Sequence, residues 1–177
     1  MTKFIAILSA IAIALLGLFA NVTAQSPIEV ETTEDFDKIF EMTGTILEIA
    51  PDHYLIENTD GQQVQVNIYD ETIVEGETPA VGALIHVLYN GMMTRSLPPQ
   101  INALRIGCYA RTGAIVELTE NGFTLDDGME IIQVNATAEQ LVGLEPGSQV
   151  TVYFNGAMTM SLPAQIGAEL IVPHAAE

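Results

Sequence analysis

Two stretches of the chain nearly repeat each other: YNGMMTRSLPPQINALRI at residues 89–106 and FNGAMTMSLPAQIGAELI at residues 154–171. Eleven of the 17 positions from Asn90 to Ile106 are identical in the second stretch, and we call this segment the cassette. Each cassette opens with Asn-Gly, a pair that favours a turn with positive φ, and continues to Leu-Pro, which favours an extended backbone. The two cassettes indicate that one folding unit occurs twice.

The repetition extends upstream of the cassette. Residues 43–74, TGTILEIAPDHYLIENTDGQQVQVNIYDETIV, align with residues 112–142, TGAIVELTENGFTLDDGMEIIQVNATAEQLV, and both contain Thr-Gly and Gln-Val-Asn. We therefore predict a repeat 1 at 42–107, a linker at 108–111, a repeat 2 at 112–173 and a tail at 174–177.

Each repeat has the pattern of five short strands. Polar and apolar residues alternate at 45–49 and 63–69, and Asp60-Gly61 and Asp127-Gly128 are hairpin signals. The stretch between the third and fourth strands is predicted to be irregular or to form one helical turn. This order is typical of an OB barrel. The sequence predicts an all-β protein of two tandem five-stranded OB-like barrels; the alternative is two small sheets packed as a sandwich.

The first 24 residues have the features of a secretory signal peptide. Lys3 precedes an apolar run from Phe4 to Phe19, and Val22-Thr23-Ala24 offers small residues for cleavage before Gln25. The run is shorter than the roughly 20 residues that an uncleaved membrane anchor needs. We expect a secreted or cell-envelope protein with no membrane insertion after cleavage. Residues 25–41 then form an acidic N-terminal arm, either a solvated leader or a segment that pairs with a neighbour.

Acidic residues dominate the charge. The chain has 5 Lys and Arg against 23 Asp and Glu, a formal net charge of −18. Such a surface repels phosphate groups, so the composition predicts that nucleic acid and anionic membranes are excluded as partners. The expected ligand is neutral or cationic, such as a glycan, a peptide or a basic protein face.

Catalytic and metal-binding patterns are not found in the sequence. His53, His86 and His174 have no histidine at the matching position of the other repeat, and His86 is expected to face outward from a strand. We predict no enzyme, no metal site and no cofactor. The competing alternative is a hydrolase that uses Ser96 or Ser161, for which no base is visible. Calcium bound by acidic turn residues is also less favoured than solvated turns.

The cassette itself is the candidate binding surface, because the loop between strands four and five lies on the usual ligand side of an OB barrel. The predicted ligand-binding residues are Thr94, Arg95, Ser96, Gln100, Thr159, Ser161 and Gln165. The alternative is that the cassette is scaffold that closes the barrel. The sequence favours a non-catalytic binding or structural module, with self-association by strand addition as a further alternative. Cys108 is either a buried residue or the site of an intermolecular disulfide.

The repeated string N-G-x-M-T-x-S-L-P-x-Q, at 90–100 and 155–165, carries a resemblance to a known group of proteins. The chain resembles the small secreted OB-like domains, often in tandem, of Gram-positive anaerobic bacteria. The resemblance covers both repeat units within residues 43–173 and leaves out the acidic arm and Cys108, which lies between the two units. It implies a role outside the cell or in its envelope and implies no particular activity.

Overall fold

The computed structural model describes residues 38–174, and every regular element in that range is a β-strand. The predicted signal peptide, most of the acidic arm and the last three residues lie outside the described residues. The strands are β1 (Phe40–Ile49), β2 (His53–Asn58), β3 (Gln63–Asn67), β4 (Ile73–Gly76), β5 (Leu84–Tyr89), β6 (Gln100–Cys108), β7 (Ala110–Thr119), β8 (Gly122–Asp126), β9 (Ile131–Asn135), β10 (Gln149–Tyr153), β11 (Ala164–Gly167) and β12 (Leu170–Pro173).

The first repeat is a closed five-stranded barrel. The central strand β1 pairs with β2 and β5, β2 pairs with β3, and β5 pairs with β6, all antiparallel. The barrel closes where β3 and β6 run parallel, with Gln65 opposite Gln100 and Asn67 opposite Asn102. This is the strand order of an OB barrel, so the predicted fold class is confirmed. The sandwich alternative needs open sheets, and the β3–β6 pairing excludes it for this repeat.

The second repeat uses the same order with a broken fifth strand. Its sheet runs β11-β9-β8-β7-β10-β12, so β11 and β12 are its two edges. They are consecutive pieces of one segment: β11 pairs parallel with β9, and β12 pairs antiparallel with β10. Between them, Ala168 N donates to Asn135 O at 2.8 Å and Glu169 N donates to Tyr153 O at 2.9 Å. The two edges of the sheet are therefore joined through the break.

Alternating apolar residues fill both barrels. In the first, Ile46, Ile56, Val64 and Val66 are fully buried, and in the second, Phe123, Leu125, Ile132 and Val134 are fully buried. Each such side chain contributes roughly 1.5–3 kcal/mol relative to an exposed one. Because every second residue of these strands points inward, the residues between them form the outer faces of the barrels.

The link between the third and fourth strands differs between the repeats. In the second it contains a turn, in which Leu141 N donates to Thr137 O at 3.3 Å. In the first it contains a strand, β4, which pairs parallel with the end of β6 from Ile73–Arg105 to Gly76–Cys108. The prediction of an irregular or one-turn link was therefore wrong for repeat 1. The physical reason is that the nine-residue β6 extends beyond the barrel and leaves an edge that β4 pairs with.

One residue, Tyr109, separates β6 from β7 and contacts both repeats. Its hydroxyl donates to Glu75 Oε2 at 3.2 Å, and its ring centroid lies 6.2 Å from that of Phe154 and 6.4 Å from that of His86. Partial burial, together with Glu75, raises the pKa of Tyr109. The preceding Cys108 is 1% exposed in the first core, and burial raises the pKa of its thiol. An intermolecular disulfide would require this core to open.

His86 faces outward from its strand and is nevertheless buried. It points away from the core of the first barrel, as the alternation of β5 requires, yet it is only 8% exposed. Its Nδ1 lies 3.2 Å from Glu41 Oε1 and 3.2 Å from Thr43 Oγ1. Its Nε2 lies 2.9 Å from Glu169 Oε2 of the second repeat, without the alignment of a hydrogen bond. The prediction that His86 faces outward from its strand is confirmed, and the side chain is buried because the second repeat covers this face.

Candidate functional site

The hydroxyl groups of the first cassette bond to their own loop. Gln100 N donates to Thr94 Oγ1 at 2.8 Å, and Ser96 Oγ donates to Pro98 O at 2.7 Å. The two hydroxyl oxygens are 2.6 Å apart. Because Ser96 has used its one proton on Pro98, Thr94 must be the donor between them. The result is an ordered chain from Gln100 N–H through Thr94 and Ser96 to a carbonyl.

The second cassette contains the same chain of hydrogen bonds, with donor–acceptor distances that differ by no more than 0.1 Å. Gln165 N donates to Thr159 Oγ1 at 2.8 Å, the Thr159 and Ser161 hydroxyl oxygens are 2.7 Å apart, and Ser161 donates to Pro163 O at 2.7 Å. The peptide bond before Pro98 and that before Pro163 are both cis. In both loops the threonine and serine hydroxyls therefore hold the backbone in place.

The seven predicted ligand-binding residues are thus placed in three different settings. The hydroxyl groups of the two threonines and two serines make hydrogen bonds within their own loops. Gln100 and Gln165 instead lie at the starts of the fifth strands, at the first residue of β6 and the second residue of β11, beside the buried Ile101 and Ile166. Arg95 is exposed, and its side chain has no ion pair with any described residue. The two glutamines are the members of the set whose side-chain amides face outward from a strand. Their role in binding stays a prediction.

An aromatic contact beneath each cassette was missed by sequence reasoning. The ring of Phe40 packs against Gly91, and the ring of Tyr109 packs against Gly156, close enough that an added Cβ would lie 2.4 Å and 2.8 Å away, respectively. Extending the alignment of the repeats upstream by three residues would have paired Phe40 with Tyr109. The Asn-Gly turn is therefore fixed both by its positive φ and by a ring.

The outer faces of the barrels carry a strip of amides, which we call the amide strip. In repeat 1 it consists of Gln65 and Asn67 on β3 with Gln100 and Asn102 on β6; in repeat 2 it consists of Gln133 and Asn135 on β9 with Gln165 on β11. Gln133 lies opposite Gln165, as Gln65 lies opposite Gln100. The sequence showed Gln-Val-Asn twice, but only barrel closure sets these glutamines side by side.

In repeat 1 the strip is bonded internally. Gln65 Nε2 donates to Asn67 Oδ1 at 2.8 Å, and Asn67 Nδ2 donates to Asn102 Oδ1 at 3.1 Å. The hydroxyl of Tyr69 also donates to Asn102 Oδ1, at 3.2 Å. An amide has both a donor and an acceptor end, so such a chain can continue onto a bound hydroxyl or amide.

Within residues 38–174 no group of three or more His, Cys, Asp or Glu side chains is placed to hold a metal ion. Several acidic residues instead accept bonds within turns. Partial burial raises the pKa of Asp127, but N–H donors from Glu130 and Met129, with the charge of Arg111, hold it below its ordinary value. The described residues also contain no helix of the length and hydropathy that a membrane crossing requires.

The fold and its outer faces define a class: a protein of tandem OB-like β-barrels with an amide strip on each. No family model matches the chain, and no curated protein matches it. Solved structures match 73% of it. One is a multidomain protein with nucleic acid binding domains from Streptococcus pneumoniae TIGR4, at 16% identity and a TM-score of 0.25. Another is Drosophila Unr CSD456, at 13% identity and a TM-score of 0.26.

The chain spans 44% of the streptococcal protein and 61% of the Drosophila one, and TM-scores this low assign no ligand to it. The streptococcal description nevertheless contradicts the prediction that nucleic acid is excluded as a partner, and that prediction is withdrawn. The physical reason is that net charge averages over a whole surface, whereas a ligand meets one local face.

Proposed function

We propose that the chain is a non-catalytic binding module that recognises an uncharged, hydrogen-bonding ligand through its amide strips. The observation that carries this proposal is the pairing of Gln65 with Gln100 and of Gln133 with Gln165 at the same register of two barrels. These strips lie on the third and fifth strands, next to the loop that contributes to ligand binding in OB barrels. None of their side chains is charged.

The cassettes have a supporting role in this proposal. Thr94 N donates to Gln100 O at 3.0 Å, and Thr159 N donates to Gln165 O at 3.0 Å, in addition to the bonds that the threonine hydroxyls accept. Each threonine therefore bonds to both the backbone N–H and the backbone carbonyl of the strip glutamine. A ligand-binding residue held in this way loses little freedom on binding, which favours affinity.

The side-chain contacts favour a non-catalytic role. Ser96 and Ser161 donate their protons to proline carbonyls, and a serine nucleophile needs a base within about 2.6–3.2 Å. The three histidines bond elsewhere: His53 to Asp52 at 2.7 Å, His174 to Thr151 at 2.8 Å, and His86 to Glu41 and Thr43. Among the described residues, no histidine bonds to either serine.

The test is a titration of isotope-labelled residues 25–177 followed by NMR, with neutral oligosaccharides and peptides as probes. We expect the side-chain NH₂ signals of Gln100 and Gln165 to shift, and a Gln100→Ala, Gln165→Ala double variant to bind more weakly. Gln62→Ala is the matched control, because Gln62 is an exposed glutamine of the β2–β3 hairpin outside the strip. Shifts confined to residues outside both strips would overturn the proposal.

A location outside the cell is also part of the proposal. It is supported by the signal-peptide features of residues 1–24 and by the resemblance to secreted domains of Gram-positive anaerobes. Expression of the full chain in a Gram-positive host should release a protein whose N-terminal residue is Gln25. Retention of Met1 on a cytoplasmic product would contradict this location.

Self-association is a second candidate, favoured by the broken fifth strand. In repeat 1 the strand β4 pairs with the outer side of β6, whereas in the described part of repeat 2 the strand β12 pairs with β10 alone. A strand of another molecule could add to that edge. Light scattering should then show a larger species that deletion of residues 25–37, which precede the described residues and leave β1 intact, converts to a monomer. A monomer before deletion would rule out this candidate.

A further inference from the structure

We infer that the amide strip of the second barrel contains an open subsite for an acetamido group of a neutral sugar, which the first barrel has filled with its own side chains. The inference rests on the proposed function and goes further by naming the barrel and the class of ligand.

The two strips differ at one strand position. Asn102 on β6 corresponds to Gly167 on β11, and both lie opposite the asparagine of Gln-Val-Asn. In repeat 1, Asn102 accepts bonds from Asn67 and Tyr69 and so completes the internal chain. In repeat 2 the side chain is missing at Gly167, and Thr137 stands where repeat 1 has Tyr69.

This difference leaves a hollow in repeat 2. A hollow of about 310 Å³ is lined by Asn135, Asn155, Ala157, Met158, Thr159, Gln165, Ile166 and Gly167. Among the described residues, the side-chain amides of Asn135 and Gln165 have no hydrogen-bond partner, and both residues are exposed. The position of a Cβ on Gly167 is open, with no atom within 4 Å. The hollow therefore occupies the place that Asn102 takes in repeat 1.

The lining indicates the ligand. Asn135 and Gln165 each offer a donor and an acceptor, and Ala157 and Met158 offer an apolar wall beside them. An acetamido group presents an N–H, a carbonyl and a methyl within one small planar unit. It can therefore pair with the two amides while its methyl contacts the wall, and the sugar hydroxyls meet the remaining polar atoms.

Other ligand classes fit the hollow less well. Peptides are often bound by an aromatic groove or an arginine cluster, and the eight lining residues include no aromatic or basic side chain. Strand addition along the edge strand β11 is the remaining mode of peptide binding, and tetraalanine tests it. Single-stranded nucleic acid is usually held by aromatic stacking and a basic groove, and the same eight residues include neither. Both classes serve as competing probes below.

The experiment titrates residues 25–177 with four probes: the tetramer of N-acetylglucosamine, the tetramer of glucose, tetraalanine and a single-stranded oligonucleotide. We expect the first probe to shift the side-chain signals of Asn135 and Gln165. Gly167→Asn should weaken its binding roughly tenfold or more, because the new amide fills the hollow as Asn102 does. Gly167→Ala is the matched control and should stay within roughly threefold, since it adds a methyl without an amide.

A second variant keeps the inference testable if Gly167→Asn fails to fold. Gln165→Met removes the amide but keeps much of the side-chain volume, and it should also weaken binding while the melting temperature stays unchanged. Gln62→Ala, in the exposed β2–β3 hairpin outside both strips, is its control and should leave the affinity for the sugar unchanged. Equal losses from Gln62→Ala and Gln165→Met would overturn the assignment to the hollow of the second barrel.

The remaining outcomes separate this inference from the proposed function. Shifts at Gln65, Asn67 and Asn102 alone, or strip shifts with only the glucose tetramer or tetraalanine, overturn the inference and leave the proposed function standing. Strip binding by the oligonucleotide alone overturns both, because that ligand is charged. No shift on either strip with any probe overturns the inference and counts against the proposed function.

Discussion

The two repeats have the same hydrogen bonds in their cassettes but different side chains on the outer faces of their barrels. The hydroxyl chains of the two cassettes match to within 0.1 Å at each step, from Gln100 N–H to Pro98 O and from Gln165 N–H to Pro163 O. The amide strips differ, because repeat 2 has Gly167 and Thr137 at the positions that match Asn102 and Tyr69 of repeat 1. The cassette must satisfy its own backbone, so few changes are tolerated there, whereas an exposed strand face can change without loss of fold.

The largest expected effect concerns the ring beneath each Asn-Gly turn. Gly156→Ala should lower the free energy of unfolding by about 3 kcal/mol, because its φ is +84° and its Cβ would lie 2.8 Å from Tyr109. Gly91→Ala, with a φ of +80°, should cost about 2 kcal/mol. The difference arises because Tyr109 is anchored to Glu75, whereas Phe40 is 41% exposed and can turn away.

Urea denaturation measures both costs. Gly128→Ala is the control, since its φ is +84° but its Cβ would meet no atom within 4 Å, and it should cost about 1 kcal/mol. A loss at Gly156 equal to that at Gly128 would mean that Tyr109 moves freely and that the ring does not fix the turn.

The next largest effect tests whether the threonine hydroxyl stabilises the two cassettes equally. Thr94→Ala and Thr159→Ala each remove a hydroxyl that accepts from a strip glutamine N–H and donates to a serine, so each should cost about 1 kcal/mol. Thermal unfolding should show nearly equal losses, because the two loops are bonded alike. An unchanged melting temperature with weakened ligand binding would instead make these threonines binding residues.

The smallest effect lies in the β2–β3 and β8–β9 hairpins. Asn58 Oδ1 accepts Asp60 N and Gln62 N in the first, whereas Asp127 Oδ1 accepts Met129 N and Glu130 N in the second. Since the pKa of Asp127 is lowered on folding, its stabilising contribution is present above the ordinary value of 3.8 and is lost as the pH falls below it. Acid should therefore loosen the second hairpin and spare the first.

Backbone NMR signals of Met129 and Glu130, followed from pH 5 to about pH 2, check this difference. They should move as Asp127 is protonated, while Asp60 and Gln62 report no such step in their hydrogen bonds to Asn58. In Asp127→Asn the acid-dependent change should disappear. Simultaneous loosening of both hairpins would show that acid acts on the whole fold rather than on this carboxylate.

The sequence alone determined the repetition, the strand order and the inward residues. The alternation at 63–69 correctly indicated that Val64 and Val66 are buried, and Asp60-Gly61 and Asp127-Gly128 lie at the β2–β3 and β8–β9 hairpins as predicted. These features are local: a period of two residues marks a strand face, and Asp-Gly or Asn-Gly marks a turn. They could be read without knowing which strands meet.

Only the tertiary structure decided the candidate site and the junction. Gln65 and Gln100 become neighbours because the barrel closes between β3 and β6, and His86 is buried because Glu169 and Tyr109 of the chain beyond it cover its face. Likewise, the free length of β6 decides that Ile73–Gly76 forms a strand where repeat 2 has a turn. Contacts between residues far apart in sequence depend on closure and packing, and a local pattern contains neither.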